Sequence, residues 1–299
     1  MSKVLSMKFF ITFILLIIFN FSFGQNHRFV YEYKFTNDST KIDSLKSELM
    51  NLDVFDKYSF FYGQTKFTGD SINTNSILEQ QKRTPGSISI SSYGKEWNTS
   101  YIVKKNYPDY KTVWETAIGN ESLAVEESRK PNWKISNEIE TIEKHSCQKA
   151  TVDFGGRKWT AWFTRDIPIP EGPYKFYGLP GLIVKLEDQS KTHQFLLKGN
   201  QKITEKNKSW NYIQDLRRQA YGSSTKQLQV NEKQYKKLYQ EYKNDPVKSI
   251  RQELSMPGYS VVIQTADGKQ IKDNAEVIRY YENEAKERMK KFNNPIEFY

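Results

Sequence analysis

Alternation of aromatic residues with other residue types is the feature that most limits how this chain can fold. Phe29, Tyr31, Tyr33 and Phe35 occupy every second position of the segment 28–36. Successive side chains of a β-strand point to opposite faces, so this period of two predicts a strand with one buried face. Strand candidates of the same kind follow at 50–54, 58–62, 87–92, 97–104, 112–118 and 123–126. The simplest way to join them is a meander of antiparallel strands.

The central part of the chain predicts a hairpin. Two alternating segments, 150–154 and 159–163, flank a Gly-Gly pair that is typical of two-residue turns. Trp159 and Trp162 fall on opposite faces of the second segment. That strand is therefore either covered on both sides or exposed on one side for binding.

A proline–glycine corner follows the hairpin. Three prolines between 168 and 173 exclude regular strand pairing, so an extended, irregular path is expected there. Pro180 fixes a negative φ and Gly181 tolerates a positive one, which predicts a buried type II turn over Leu179–Leu182. Together with Gly178, these two residues are assigned a structural role in the turn. Strands are expected on either side of the next polar break, at 182–186 and 192–198.

The last third of the chain has a different period. Apolar residues recur at intervals of three and four between Asn231 and Pro246, and again in 274–291. This spacing predicts two helices, the first capped by Asn231. Less regular patterns predict a shorter helix near 212–216, a hairpin over 259–271, and a loop or short helix over 67–86.

Taken together, these patterns predict an α+β fold. We expect a predominantly antiparallel, curved β-sheet meander with helices concentrated in the C-terminal third. The expected organisation is a single domain over 25–299, β-rich over 25–200 and helix-rich over 201–299. A single cysteine excludes a disulfide scaffold, and an aromatic content of 14% supplies material for a core.

The first 24 residues differ from the rest and predict a signal peptide. Lys3 and Lys8 accompany an almost unbroken apolar stretch, Phe9–Phe23, and we place the cleavage site between Gly24 and Gln25. The stretch is short for a bilayer, which requires about 20 residues, so a membrane anchor is the less favoured alternative. No other segment predicts a transmembrane helix. We expect a periplasmic or secreted protein, and export argues against a nucleic-acid partner despite the formal net charge of +10.

Patterns for catalysis and metal binding are weak. His145 and Cys147 have the spacing of neighbours on one strand face, but no cysteine-hydrolase signature surrounds them, and a buried structural thiol is favoured. The three histidines are widely separated, so no metal site and no cofactor are expected. Carboxylates around the centre of the chain leave a hydrolase mechanism open, because a pair held about 5 to 9 Å apart can cleave glycosides. These carboxylates are Asp153, Asp166, Glu171 and Asp188.

A group of aromatic and cationic residues favours binding over catalysis. The candidate ligand-binding residues are Arg157, Trp159, Trp162, Tyr174 and Lys175. Flat aromatic faces beside cationic donors suit acidic glycans, peptides or lipids. The alternative is that these aromatic side chains belong to the core of the sheet.

The central motif resembles that of a known family. Residues 178–183 spell Gly-Leu-Pro-Gly-Leu-Ile, and the chain is similar here to the GLPGLI family of exported Bacteroidetes proteins. Other segments that resemble the family pattern in order and spacing are Leu52–Tyr62, Trp133–Ile135, Cys147–Ala150, Trp159–Trp162, Ile167–Pro170, Gly172–Phe176 and Asn294–Glu297. The resemblance spans nearly all of the chain after the signal peptide. It implies an exported envelope protein of uncharacterised function and no established chemistry.

The function expected on these grounds is that of a non-catalytic binding or accessory protein. Its partner would be an envelope lipid, a glycan, a peptide or an outer-membrane protein. The alternative is a hydrolase that acts on envelope or nutrient polymers through the carboxylates near the central motif. An enzyme should bring at least two titratable groups together in a cleft, whereas a binder needs only aromatic and cationic groups.

Overall fold

The computed structural model describes residues 26–83, 99, 101–119, 121–203, 210, 212–215, 227–265 and 268–298. The predicted signal peptide lies outside the described residues, as do the strand candidate at 87–92 and residues 97, 98 and 100 of the one at 97–104. A large, mostly antiparallel sheet dominates the described part, and most of the helices follow it in the chain.

Within the described residues, twelve strands form the large sheet and two short strands form a separate hairpin. The large sheet contains β1 (His27–Phe35), β2 (Lys46–Val54), β3 (Tyr58–Gly63), β4 (Ile102–Asn106), β5 (Lys111–Ile118), β6 (Glu121–Glu127), β7 (Lys134–Ile142), β8 (His145–Phe154), β9 (Arg157–Thr164), β10 (Leu182–Asp188), β11 (His193–Lys202) and β12 (Leu228–Asn231). The separate hairpin, which the sequence predicts, consists of β13 (Ile263–Gln264) and β14 (Gln270–Ile271).

The strand order is β12-β6-β5-β4-β3-β2-β1-β11-β10-β9-β8-β7. It consists of two runs of consecutive strands, β1 to β6 and β7 to β11, joined by antiparallel pairing of β1 with β11. Of the strand pairs in the described residues, β12 with β6 is the parallel one. The order therefore departs from a single meander at the β1–β11 junction and at β12.

The prediction of a central hairpin is confirmed. Strands β8 and β9 are antiparallel neighbours, and Phe154 lies opposite Arg157 in the residue pair next to the turn. Gly155 and Gly156 have φ values of 61° and 76°. Two consecutive positive φ values are typical of the type I′ turn, which glycine adopts without steric cost. Trp159 and Trp162 are both buried, so β9 is covered on both faces.

The helices whose bounds the described residues give are α1 (Gln64–Arg83), α2 (Glu232–Asn244), α3 (Lys248–Leu254) and α4 (Asn274–Lys291). Residues 210 and 212–215 are helical as well, where the sequence predicts a shorter helix. Helices α2 and α4 confirm the two predictions made for the last third. At the start of α2, the Asn231 side chain accepts a hydrogen bond from the backbone of Gln234, and the Gln234 side chain accepts one from the backbone of Asn231. This capping box explains why the helix begins there. Among the described residues, no helix has the length and apolar content that crossing a bilayer requires.

Helix α1 corrects the prediction of a loop or short helix over 67–86. Its buried residues include Lys66, Asp70 and Thr74, at a spacing of four. Lys66 Nζ lies 3.0 Å from the Asp70 carboxylate, and the Thr74 hydroxyl donates to the Asp70 backbone carbonyl. Because polar residues make up much of its buried face, α1 lacks the apolar period by which a helix is recognised in sequence.

The main core contains side chains from the segment 165–181, called here the central segment, which links β9 to β10. The ring of Phe176 packs against the rings of Phe154 and Trp159, with centroid separations of 5.3 and 5.0 Å. The ring of Tyr174 meets Tyr101, just before β4, edge-on at 5.1 Å. The central segment therefore contacts strands from both runs of the sheet.

The corner at the end of the central segment is tighter than the predicted type II turn. The Gly181 N–H donates to the Leu179 carbonyl at 2.7 Å, which closes a three-residue turn around Pro180. The Leu182 N–H, which would close a four-residue turn, instead donates to the Ile167 carbonyl at 3.0 Å. Leu179 and Leu182 are fully buried, as the sequence predicts.

Gly181 is required at this corner for two reasons. Its φ of 151° is a conformation that side-chain-bearing residues rarely adopt. A Cβ atom at this position would also lie 2.0 Å from the backbone carbonyl oxygen of Thr164. Gly178 differs, because its φ is 90° but a Cβ atom there would meet nothing within 4 Å.

We expect Gly181→Ala to lower the free energy of unfolding by about 4 kcal/mol or more, because strain and a backbone clash add. The matched control is Gly178→Ala, for which conformational strain alone predicts a loss of about 1–2 kcal/mol. Urea denaturation of the two variants measures the difference. Equal losses would show that the close approach to Thr164 is not what requires glycine.

Candidate functional site

The structure places all five candidate ligand-binding residues in the protein interior. Arg157, Trp159 and Trp162 belong to β9, whereas Tyr174 and Lys175 belong to the central segment. None is more than 9% exposed. Their partners within the protein therefore determine what the group can do.

Lys175 lies at the centre of a buried group of charges. Its Nζ is 3.0 Å from a carboxylate oxygen of Glu127, at the end of β6, and 3.0 Å from one of Glu297, near the C-terminus. Arg129 Nη2 joins the same two carboxylates at 2.6 and 2.8 Å. These four residues, called here the Lys175 cluster, contain two positive and two negative charges. The Lys175 ammonium also lies 4.2 Å from the centroid of the Trp114 ring, which favours a cation there.

The electrostatics of the Lys175 cluster stabilise its ionised form. Burial by itself raises the pKa of Glu127, but the hydrogen bond from Arg129 and the charge of Lys175 outweigh it and lower the pKa to about 2. The unfolded chain protonates this carboxyl group near pH 4.5. The stabilisation from Glu127 is therefore complete above that pH and is lost as the pH falls towards 2.

Arg157 holds a second group of buried contacts. Its Nη1 donates to the Asp188 carboxylate at 2.9 Å, and its Nη2 donates to Asn294 Oδ1 at 2.6 Å. The same guanidinium group donates to the backbone carbonyls of Pro295 and Ile296. Arg157 thus links the central hairpin to β10 and to the end of the chain.

His193 is neutral beside Arg157. Its Nδ1 lies 2.6 Å from the Tyr33 hydroxyl and its Nε2 lies 3.2 Å from the Asn294 carbonyl. A carbonyl only accepts, so Nε2 carries the proton and Nδ1 accepts from Tyr33. Burial and the charge of Arg157 lower the pKa of His193 to about 3.

Both cationic candidates therefore contact the same piece of the chain, residues 293–298, called here the C-terminal segment. Its Glu297 enters the Lys175 cluster, and the ring of Phe298 lies 4.5 Å from the Arg157 guanidinium carbon. The Phe298 N–H donates to the Gly155 carbonyl at 2.9 Å. A Cβ atom at Gly155 would lie 2.6 Å from Glu297 Cγ, so this glycine serves both the turn and the approach of the segment.

A third group of buried polar contacts holds the middle of the central segment, residues 171–176. Lys105 of β4 forms an ion pair with Glu171, and its ammonium donates to the backbone carbonyls of Gly172 and Phe176 at 3.0 and 3.2 Å. Glu171 also accepts hydrogen bonds from the hydroxyls of Ser59 and Tyr107, at 2.9 and 2.5 Å. These contacts hold the irregular backbone against β3 and β4.

The four carboxylates on which the hydrolase alternative depends have different surroundings and do not share a hydrogen-bond or ion-pair partner among the described residues. Asp153 and Asp166 are exposed. Glu171 and Asp188 are buried, but the first pairs with Lys105 and the second with Arg157. Burial by itself raises the pKa of Asp188, but hydrogen bonds from Ser190 and the His193 backbone outweigh it and lower the pKa, which makes this group a poor proton donor near neutral pH. The hydrolase alternative remains a prediction for which these contacts offer no support.

Cys147 is buried, and burial raises the pKa of its thiol to about 11. Its thiol donates to the backbone carbonyl of His145 at 3.5 Å. A thiol that keeps its proton is a weak nucleophile. In the part of the chain that the structure describes, no three His, Cys, Asp or Glu side chains are arranged to hold a metal ion.

Sequence reasoning did not single out Glu127, Arg129 or Glu297 as site residues, although one signal was present. In β6, Glu127 falls at the same alternate positions as Leu123 and Val125, which are buried. A charged residue on the apolar face of a strand predicts a buried ion pair, since an unpaired buried charge is too costly. No comparable pattern marks Glu297, whose partners come from distant parts of the chain.

Comparison with known proteins gives limited results. Residues 155–185 match a family described as "Protein of unknown function (Porph_ging)". Two solved structures, of PNGF-II in the P21 and C2 space groups, are each similar with a TM-score of 0.46 and 12% sequence identity. Each similarity covers 72% of this chain and 33% of the other, so the chain spans about a third of their length. No curated protein matches the chain.

We expect Lys175→Met to lower the free energy of unfolding by about 3 kcal/mol or more, because it leaves two buried carboxylates with too little positive charge. The matched control is Lys158→Met on β9, whose side chain is exposed and whose loss should cost at most about 0.5 kcal/mol. Guanidinium chloride denaturation at pH 7 compares the two variants. Similar stability of both would show that the Lys175 cluster contributes little to folding.

The neutral state of His193 predicts a dependence of stability on pH. Below pH 6.5 the unfolded chain protonates this histidine while the folded chain does not, until the pH approaches about 3. Stability should therefore fall with decreasing pH, approaching about 1.4 kcal/mol per pH unit from this residue. Urea denaturation between pH 7 and 5 should show a weaker dependence for His193→Gln than for wild type. The control variant His145→Gln should keep the wild-type dependence, and equal slopes in all three proteins would contradict the assignment.

Proposed function

We propose that the chain is an exported envelope protein that acts as a non-catalytic binding or accessory protein. Its partner would be a lipid, glycan, peptide or outer-membrane protein, and its location the periplasm or the exterior. Support for export comes from the first 24 residues, which have the order of charged, apolar and small residues typical of a signal peptide. Support for a GLPGLI-type protein comes from residues 178–183, which lie within the segment 155–185 that matches the family of unknown function.

The observation that carries the binding proposal is the contact of Arg129, Arg157 and Lys175 with one short segment, the C-terminal segment. Carboxylate and backbone carbonyl groups of the C-terminal segment meet guanidinium and ammonium donors, and an aromatic ring lies over one guanidinium. Charge-assisted hydrogen bonds and cation–π contacts are common means of peptide recognition. Within the central segment, by contrast, Glu171 pairs with Lys105, and Lys175 pairs with Glu127 and Glu297.

A curved sheet around the central segment forms part of this proposal. Lys175 contacts Glu127 of β6, whereas the next residue, Phe176, contacts Phe154 of β8. Strands β6 and β8 stand nine positions apart in the strand order. At about 4.8 Å per strand, a flat sheet would separate them by about 40 Å. The contacts favour a sheet that bends around the segment and presents its inner face to it.

The proposal predicts two results for protein purified from the envelope fraction of cells that express the full chain. Intact mass should correspond to a chain that begins at Gln25, and native mass spectrometry should show an added mass that is lost on unfolding. The control is the same chain without residues 1–24, kept in the cytoplasm, which should lack the added mass. A chain that retains Met1 would contradict export. A protein without any retained partner that instead degrades an envelope polymer would favour the hydrolase.

A further inference from the structure

We propose that the surface that holds the C-terminal segment is a recognition site for peptides that carry a glutamate followed by an aromatic residue, and that the segment is its displaceable internal occupant. The inference rests on the proposed binding function and names its ligand class. The site, called here the tail site, comprises Arg129, Arg157, Lys175 and the carbonyl of Gly155. Its ligand class is defined by what the segment presents to it.

The tail site binds the backbone of the segment as a peptide-binding protein would. Arg157 donates to the carbonyls of Pro295 and Ile296, and the Gly155 carbonyl accepts from the N–H of Phe298. These contacts depend on the course of the main chain, which bends at Asn294, Ile296 and Glu297, and not on particular side chains. They would form equally with a separate peptide of the same conformation.

Three side chains of the segment supply specificity. The Asn294 amide accepts from Arg157 and donates to the Thr36 carbonyl, with distances of 2.6 and 2.7 Å. The Glu297 carboxylate lies between Lys175 and Arg129. The Phe298 ring lies over the guanidinium of Arg157. The ligand class is therefore a peptide with the same bent main chain that has asparagine, then glutamate three residues later, then an aromatic residue.

The position of the segment in the chain makes displacement feasible. It follows α4, whose buried residues are Val277 and Ala285. Val277 packs with Leu254 and Ile271 in a small cluster that is separate from the main core. The Phe298 side chain is 48% exposed. Release of the segment would expose the part of the main core on which Ile296 packs, and it would leave the charges of the tail site without Glu297. A competing peptide with the same side chains would restore both sets of contacts.

The test uses the full chain and a fluorescent peptide with the sequence of residues 291–299. The variant Glu297→Gln weakens the internal occupant, so the peptide should bind this variant at least tenfold more tightly than wild type in fluorescence anisotropy. The peptide that carries Glu297→Gln should bind at least tenfold more weakly to the same variant, because it cannot satisfy Lys175 and Arg129. The matched control protein is Glu284→Gln, a change on the exposed face of α4, which should bind the peptide as wild type does.

A second variant keeps the test decisive if Glu297→Gln proves unstable. Phe298→Ala removes a half-exposed ring, leaves the buried charges in place, and should also increase peptide binding. Failure of the peptide to bind either variant, with thermal melting showing both to be folded, would overturn the inference. Equal binding of the two peptides would overturn it as well. If the variants bind the peptide but the protein from the envelope carries no partner, the proposed function is contradicted and this inference is not. If the protein from the envelope carries a partner but the variants do not bind the peptide, this inference alone is contradicted.

Discussion

The structure depends on the burial of an irregular, proline-containing segment against a large sheet. Backbone groups that are buried without strand partners must find hydrogen bonds elsewhere, and the central segment finds them in side chains of the surrounding strands. The Lys105 ammonium donates to the carbonyls of Gly172 and Phe176, and Trp133 Nε1 donates to the carbonyl of Tyr177. The Tyr31 hydroxyl donates in the same way to the carbonyl of Ile183, just after the corner. The segment is thus held by directional contacts as well as by packing.

These contacts explain why so many charges lie in the interior. Lys105, Glu171 and Lys175 are almost completely buried, and each meets an opposite charge within the protein. A buried ion pair gains little over an apolar pair of the same size, but removal of one partner leaves an uncompensated charge. The buried pairs therefore specify one position of the central segment rather than add much stability. The same reasoning applies to Glu297, whose carboxylate sets the position of the C-terminal segment while that segment occupies the tail site.

The candidate site shows how far sequence reasoning extends. The pattern around the central hairpin predicted that Arg157 and Lys175 bind an external acidic ligand, which stays a prediction. In the structure both cations are buried against acidic and carbonyl groups of the protein itself. The sequence did not reveal that the Glu297 carboxylate lies next to the Lys175 ammonium in the folded chain. It also did not distinguish a buried Trp159 from an exposed one, because alternation gives the two faces of a strand without saying what covers them. Whether these residues also bind an external ligand is a property that the proposed experiments measure.

By itself, the sequence determined the local elements, because period, turn chemistry and caps act over a few residues. The β8–β9 hairpin follows from its two glycines, and α2 follows from its cap at Asn231 and the apolar period behind it. Only the tertiary structure decided the pairing of β1 with β11, the three-residue turn at Pro180 and the position of the C-terminal segment. Each of these depends on a partner more than ten residues away, such as the Ile167 carbonyl that takes the N–H of Leu182. Contacts of this range are fixed by packing and hydrogen-bond competition in the assembled sheet, which no local pattern records.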